Sequence, residues 1–132
     1  TGAEDTEGFE RRVRVWDAAT GEPKQVFGQH LDWLIGCVYA ADGRTFLAGT
    51  FEWLHVRAAD DGRVLKSFGP NLNWVGHAAF LPDGSVLALD NNHQNHHAHV
   101  FDPATGRERR AWRVAGWYPG DMALSPDGAR VL

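Results

Sequence analysis

The sequence is poor in the features that most often reveal a protein's chemistry. A single cysteine, Cys37, among 132 residues excludes an internal disulfide framework. It fits a reducing compartment or a fold that needs no staples, which leaves localisation open with the cytoplasm mildly preferred. No uninterrupted apolar run approaches membrane-spanning length, and no charged-then-apolar leader is recognisable, so no membrane partner is expected. Lys and Arg number 13 against 17 Asp and Glu, a formal charge of −4. The cations are scattered apart from Arg107, Arg109 and Arg110, which argues against a nucleic-acid partner. No helical periodicity persists, so no Gly-rich loop opens a helix to hold a phosphate. Nucleophilic catalysis finds no support either: Cys37 shares an apolar strand register with Ile35 and Tyr39, where burial is expected. No cofactor and no enzymatic activity are expected.

What the chain does have is repetition. Val15-Trp16-Asp17-Ala18-Ala19-Thr20-Gly21 returns around Val56-Arg57-Ala58 and Asp61-Gly62, and again as Val100-Phe101-Asp102-Pro103-Ala104-Thr105-Gly106. Ala41-Asp42-Gly43 returns as Pro82-Asp83-Gly84 and Pro126-Asp127-Gly128. Both phrases step by 41 residues and then by 44 (Val15, Val56, Val100; Asp42, Asp83, Asp127). A period of this size marks one supersecondary unit stacked on itself. Short apolar runs bounded by turn residues predict strands at 13–16, 24–27, 34–39, 45–50, 53–57, 64–68, 75–80, 86–89, 98–101, 108–113, 121–124 and 130–132. The Asp-Gly pairs supply the positive backbone dihedrals of tight hairpins, and Pro82 and Pro126 preset the position before them. Each period is therefore four antiparallel strands, following a polar loop over 1–12.

Four strands per period, with these phrases, resemble the WD-repeat β-propeller family. His30-Leu31-Asp32-Trp33-Leu34 resembles the family's His-x-x-Trp-Val lead into an innermost strand, and Val13-Arg14-Val15-Trp16-Asp17 resembles the strand closing on Trp-Asp. The pair is intact only at Trp16-Asp17, being Arg57-Ala58 and Phe101-Asp102 in the other copies, and the Gly-His pair is broken to Gly28-Gln29-His30, with Asn71 at its next position. The resemblance implies an all-β fold: a propeller arc of four-stranded antiparallel blades over 13–132. It would comprise a half blade at 13–27, full blades at 34–68 and 75–113, and a half blade at 121–132. About three blade-equivalents fall short of the four or more that close a ring. Further blades, from the same chain or from other copies, are therefore needed. With Thr1 first and Leu132 inside a hairpin, a segment of a longer propeller is the expectation, and self-assembled copies are the alternative.

The resemblance also implies one face built from the loops before each innermost strand and the loops between second and third strands. Trp33, Trp74 and Trp117, with Tyr118, recur in the first class and offer an aromatic row for a protein or peptide ligand, alongside His30 and Asn71. The alternative is that each Trp packs between blades as ordinary core. The loop from Asp90 onward is three residues longer than its counterpart and carries His93, His96, His97 and His99. These could ligate a transition metal, although their spacing fits no firm ligand motif and a solvated polar loop is the plainer reading. Counted from the Asp-Gly turns, Gly36, His77 and Asp121 share one register, so His77 and Asp121 either line the channel or satisfy one another between blades. The function expected is a non-catalytic interaction scaffold. The alternatives are a metal- or ligand-binding propeller and a regulatory propeller attached to an enzyme domain.

Overall fold

The structure is a computed structural model that describes residues 12–27, 34, 36–69, 72–90, 96–115 and 122–132. The loop expected over 1–12 lies outside these residues apart from Arg12. The described residues form β1 Val13–Trp16, β2 Pro23–Phe27, β3 Gly36–Tyr39, β4 Thr45–Gly49, β5 Leu54–Ala58, β6 Val64–Phe68, β7 Val75–Phe80, β8 Val86–Asp90, β9 His97–Phe101 and β10 Glu108–Arg113. They assemble into a β1–β2 hairpin, a sheet ordered β3-β4-β5-β6 and a sheet ordered β7-β8-β9-β10, all neighbours antiparallel. A single bridge between Leu124 and Val131 begins the next unit. The order is a half blade, two full blades and a half blade.

Burial grades from the second strand outward. β4 and β8 are buried almost throughout, as apolar runs covered on both faces must be. The outermost strand β10 is exposed at every position. The core lies between blades. Leu47, Leu54 and Phe68 of one full blade pack against Val86, Ala88 and Phe101 of the next. Val13 and Phe27 of the β1–β2 hairpin cover Phe46 and Ala48. On the far side Leu87, Leu89 and Ala98 receive Met122 and Leu124. Cys37 is a correction: it is exposed rather than buried, because it lies beside Ala48 on the face that the β1–β2 hairpin covers, and that cover reaches β4 but not β3.

The turn phrase works through its aspartate. Asp102 Oδ1 accepts the N–H groups of Ala104 at 2.8 Å and Thr105 at 3.2 Å, and Asp17 Oδ1 accepts those of Ala19 at 2.8 Å and Thr20 at 3.0 Å. Arg109 then grips Asp102 Oδ2 at 2.7 Å and reaches the Ser85 hydroxyl at 2.9 Å. The Arg109 guanidinium, followed by the two N–H groups, holds the Asp102 carboxyl below the usual carboxylate range. Lys24 and the turn N–H groups do the same for Asp17. A depressed folded pKa contributes stability that is present above the unfolded value and lost as pH falls through the folded one. The midpoint of urea unfolding is therefore expected to drop once pH falls below about 4. Asp102→Asn should flatten that acid slope, and an unchanged slope would remove Asp102 from the account.

Candidate functional site

Two loops that belong to neighbouring blades meet at the end of the sheet where β7 begins. The β4–β5 connection is closed by Thr50, whose hydroxyl donates to the Trp53 carbonyl at 3.0 Å and accepts the Trp53 N–H at 3.1 Å. This tight closure pushes Phe51 outward, 42% exposed. From the next blade, Trp74 donates its N–H to the Phe51 carbonyl at 2.6 Å. The Trp74 backbone takes a φ of +56°, the left-handed region, which a bulky residue enters only under tertiary constraint. The result is a Trp74 ring 40% exposed, tilted against Phe51 with centroids 5.9 Å apart. Glu52 and Asn73 flank the pair, both exposed.

Of the expected aromatic row, Trp74 is placed in this way, whereas Trp33, Trp117 and Tyr118 lie outside the described residues, as do His30 and Asn71. Phe51 joins the site without having been singled out in the sequence. Its signal was its place in the loop between second and third strands, the other loop class on that face.

The histidines divide differently. His93 lies outside the described residues and His96 is buried. His97 and His99 stand on one face of β9, ring centroids 6.1 Å apart. The equivalent positions of the preceding blade are Trp53, just before β5, and His55 within it, centroids 6.4 Å apart, so the pair repeats a structural ladder of that blade. His99 has both ring nitrogens facing carboxylates: Glu108 Oε2 at 2.7 Å from Nδ1 and Asp90 Oδ2 at 3.4 Å from Nε2. Asp90 is buried and its other oxygen accepts the His97 N–H at 2.6 Å. Satisfying this buried carboxylate already engages the imidazole that a metal would need. Among the described residues no group of three or more His, Cys, Asp or Glu is arranged to hold a metal ion.

A groove of about 190 Å³ separates β3 from β7 and is lined by Gly36, Cys37, Gly49, Gly76 and His77. His77 is half-buried in it, and Asp121 lies outside the described residues. Gly36 pairs with Gly49 and His77 with Leu89, each the fourth pair counted from its hairpin turn, so His77 sits level with Gly36. A bulge follows between His77 and Val75, which pairs with Asp90. Desolvation in this groove pushes the Cys37 thiol above its ordinary pKa, with the Arg57 cation opposing, so the thiolate needed for nucleophilic attack is disfavoured.

No family model matches the chain. Over 79 residues, 58% of its length, it is 33% identical to WD repeat and SOCS box-containing protein 1 of Danio rerio and 30% identical to the proteins of that name from Mus musculus and Homo sapiens. The aligned stretch covers 19% of each of those proteins, so the chain spans about a fifth of the relatives it matches. Among solved structures, Kuenenia stuttgartiensis hydrazine synthase aligns with a TM-score of 0.74 at 18% identity, covering 91% of this chain and 36% of that one. The WD40 β-propeller domain of Doa1 aligns with a TM-score of 0.72 at 13% identity, covering 89% and 38%. At such identities the two likenesses speak for the fold alone. Repeated turns, blades and relatives agree: the chain is a β-propeller arc of about three blade-equivalents, whose degenerate repeats are similar to those of WD-repeat proteins.

Proposed function

We propose that this arc is a non-catalytic platform that docks a protein or peptide through the Phe51–Trp74 pair. The observation that carries the reading is an exposed tryptophan held in a left-handed backbone conformation by a hydrogen bond from its own N–H to the neighbouring loop. Strain of this kind survives only where surrounding structure over-determines it, and it concentrates at binding sites. A pre-positioned aromatic pair binds without the entropic cost of ordering two rotamer-rich side chains. Tryptophan is also the residue most enriched among interface hot spots.

The test separates binding from folding. Peptides selected from a random library against the full chain are expected to lose about tenfold or more in affinity for Trp74→Gly and Phe51→Ala. Trp74→Gly should leave the unfolding free energy within about 1 kcal/mol, because relief of the positive φ offsets the lost contacts. Peptides that bind both variants as tightly as the parent, or a failure to select any, would sink the platform reading at this pair.

A further inference from the structure

The charges of this chain are divided unequally between the two ends of its strands. Four connections lie at the end where β7 begins: 28–35 between β2 and β3, 50–53 between β4 and β5, 69–74 between β6 and β7, and 91–96 between β8 and β9. None of them contains a Lys or an Arg, although the chain has 13. Their only formally charged residues are Asp32 and Glu52. The turns at the opposite end carry Arg44, Arg63 and Arg107. Two cations stand level with the first end, both away from β7. Arg12 precedes β1, in the hairpin packed behind the β3-β4-β5-β6 sheet, and Arg113 closes β10, three strands from β7.

The Phe51–Trp74 pair belongs to this cation-free end, with Glu52 exposed beside it. Two backbone bonds between blades fix it in place: Trp74 N–H to the Phe51 carbonyl at 2.6 Å, and Val75 N–H to the Thr50 carbonyl at 3.4 Å. The two rings are inclined at 54°, which leaves open some of the ring face that parallel stacking would cover. Such a face carries the negative lobe of the ring quadrupole and attracts a cation within about 6 Å of its centroid, tryptophan most strongly. The chain uses the same chemistry on itself at β10, where the Arg110 guanidinium lies 5.2 Å from the Trp112 ring centroid. Around Trp74 the connections supply no cation of their own.

We infer that the platform takes a peptide presenting an arginine, whose guanidinium lies over the Trp74 ring and donates its edge N–H groups to the Glu52 carboxylate. This rests on the platform reading: the aromatic pair supplies the contact area, and Glu52 in its cation-free surroundings selects the charge. Arginine fits better than lysine because its planar, weakly hydrated guanidinium stacks on a ring while its edge still meets a carboxylate. An ammonium is more strongly hydrated and has no flat face to stack. A peptide with a carboxylate at the same place meets Glu52 as a like charge, which gives the site a repulsive as well as an attractive element of choice.

The test uses three pools of labelled nonapeptides, random except for a central Arg, Lys or Glu, titrated against the full chain by fluorescence polarisation. The Arg pool is expected to bind about tenfold or more tighter than the Glu pool, with the Lys pool between them. Glu52→Gln exchanges an exposed carboxylate for its isostere and should cut the Arg-over-Glu ratio to about threefold or less without moving the unfolding transition. Asp61→Asn removes the same charge from an exposed position at the opposite end and should leave the ratio unchanged. Equal binding of the Arg and Glu pools, a Lys pool that outbinds the Arg pool, or a preference that Glu52→Gln does not reduce would each overturn the inference. Where such pools still lose affinity in Trp74→Gly, the platform stands and only its choice of partner is wrong. Where no pool binds in a way that depends on Trp74, both fall together.

Discussion

Replacing Phe68 by Ala is expected to cost about 3–5 kcal/mol of unfolding free energy, the range for deleting a fully buried aromatic. Phe68 closes β6 and is 1% exposed. Its ring meets Phe101 of the next blade and packs with Leu54, Leu72 and Val86. The truncation therefore opens a cavity between blades rather than within one, where two sheets must move together for it to collapse. Against a total of about 5–15 kcal/mol for an ordinary domain, such a loss is enough to leave a large unfolded fraction. Urea titration followed by circular dichroism reads it directly. Leu65→Ala on the same strand, 48% exposed, should stay within about 0.5 kcal/mol. Similar losses for the two variants would show that the seam is not where stability resides.

The second large effect belongs to Gly62→Ala, expected at about 2–4 kcal/mol from two additive causes. The first is conformational: Gly62 closes the β5–β6 turn at φ +73°, where an L side chain is strained by about 1 kcal/mol or more. The second is steric. A Cβ there would come within 2.5–2.8 Å of the Cδ1, Cγ and Cβ atoms of Phe27. Phe27 cannot step aside, because it is 3% exposed and stacked on Phe46. Gly21 shares the turn and a φ of +74° but has nothing within 4 Å of its Cβ position. Gly21→Ala should show the strain alone, so thermal or urea unfolding of the two variants side by side separates the causes. Equal losses would mean that the Phe27 seam yields to an added methyl group.

The strands were legible because their boundaries are chemical. The Asp-Gly and Thr-Gly turns punctuate the chain at positions where few other residues fit, so ten of the expected strands appear within one or two residues of their predicted bounds. The register of the innermost strands was legible only on the turn side. Counting from the Asp-Gly pairs places His77 level with Gly36, but the bulge beyond it, between His77 and Val75, is announced by no residue type in that stretch. Cys37 misled for a different reason: alternation identifies the two faces of a strand, but not how far across a face the neighbouring blade will reach. The contacts that tie one blade to the next were invisible in sequence because Gln25 and Lys66 share no chemistry beyond a long side chain ending in a donor. Only the carbonyls they reach, of Asp60 and of Pro103 and Ala104, show that they occupy one position.

These side-chain contacts between blades also give the arc a direction. Gln25 and Lys66 both reach forward, from the outer strand of one blade to the turn of the blade that follows in sequence. Each blade is therefore held by its successor's turn, and holds its predecessor through its own. In an array coupled between nearest neighbours, that asymmetry decides what fails together. Loosening one turn releases the outer strand behind it while the seam ahead keeps its own donor and aromatic. The arc would fray backward along the chain, one clasp at a time, in the manner of a row of overlapping tiles lifted from the last one laid.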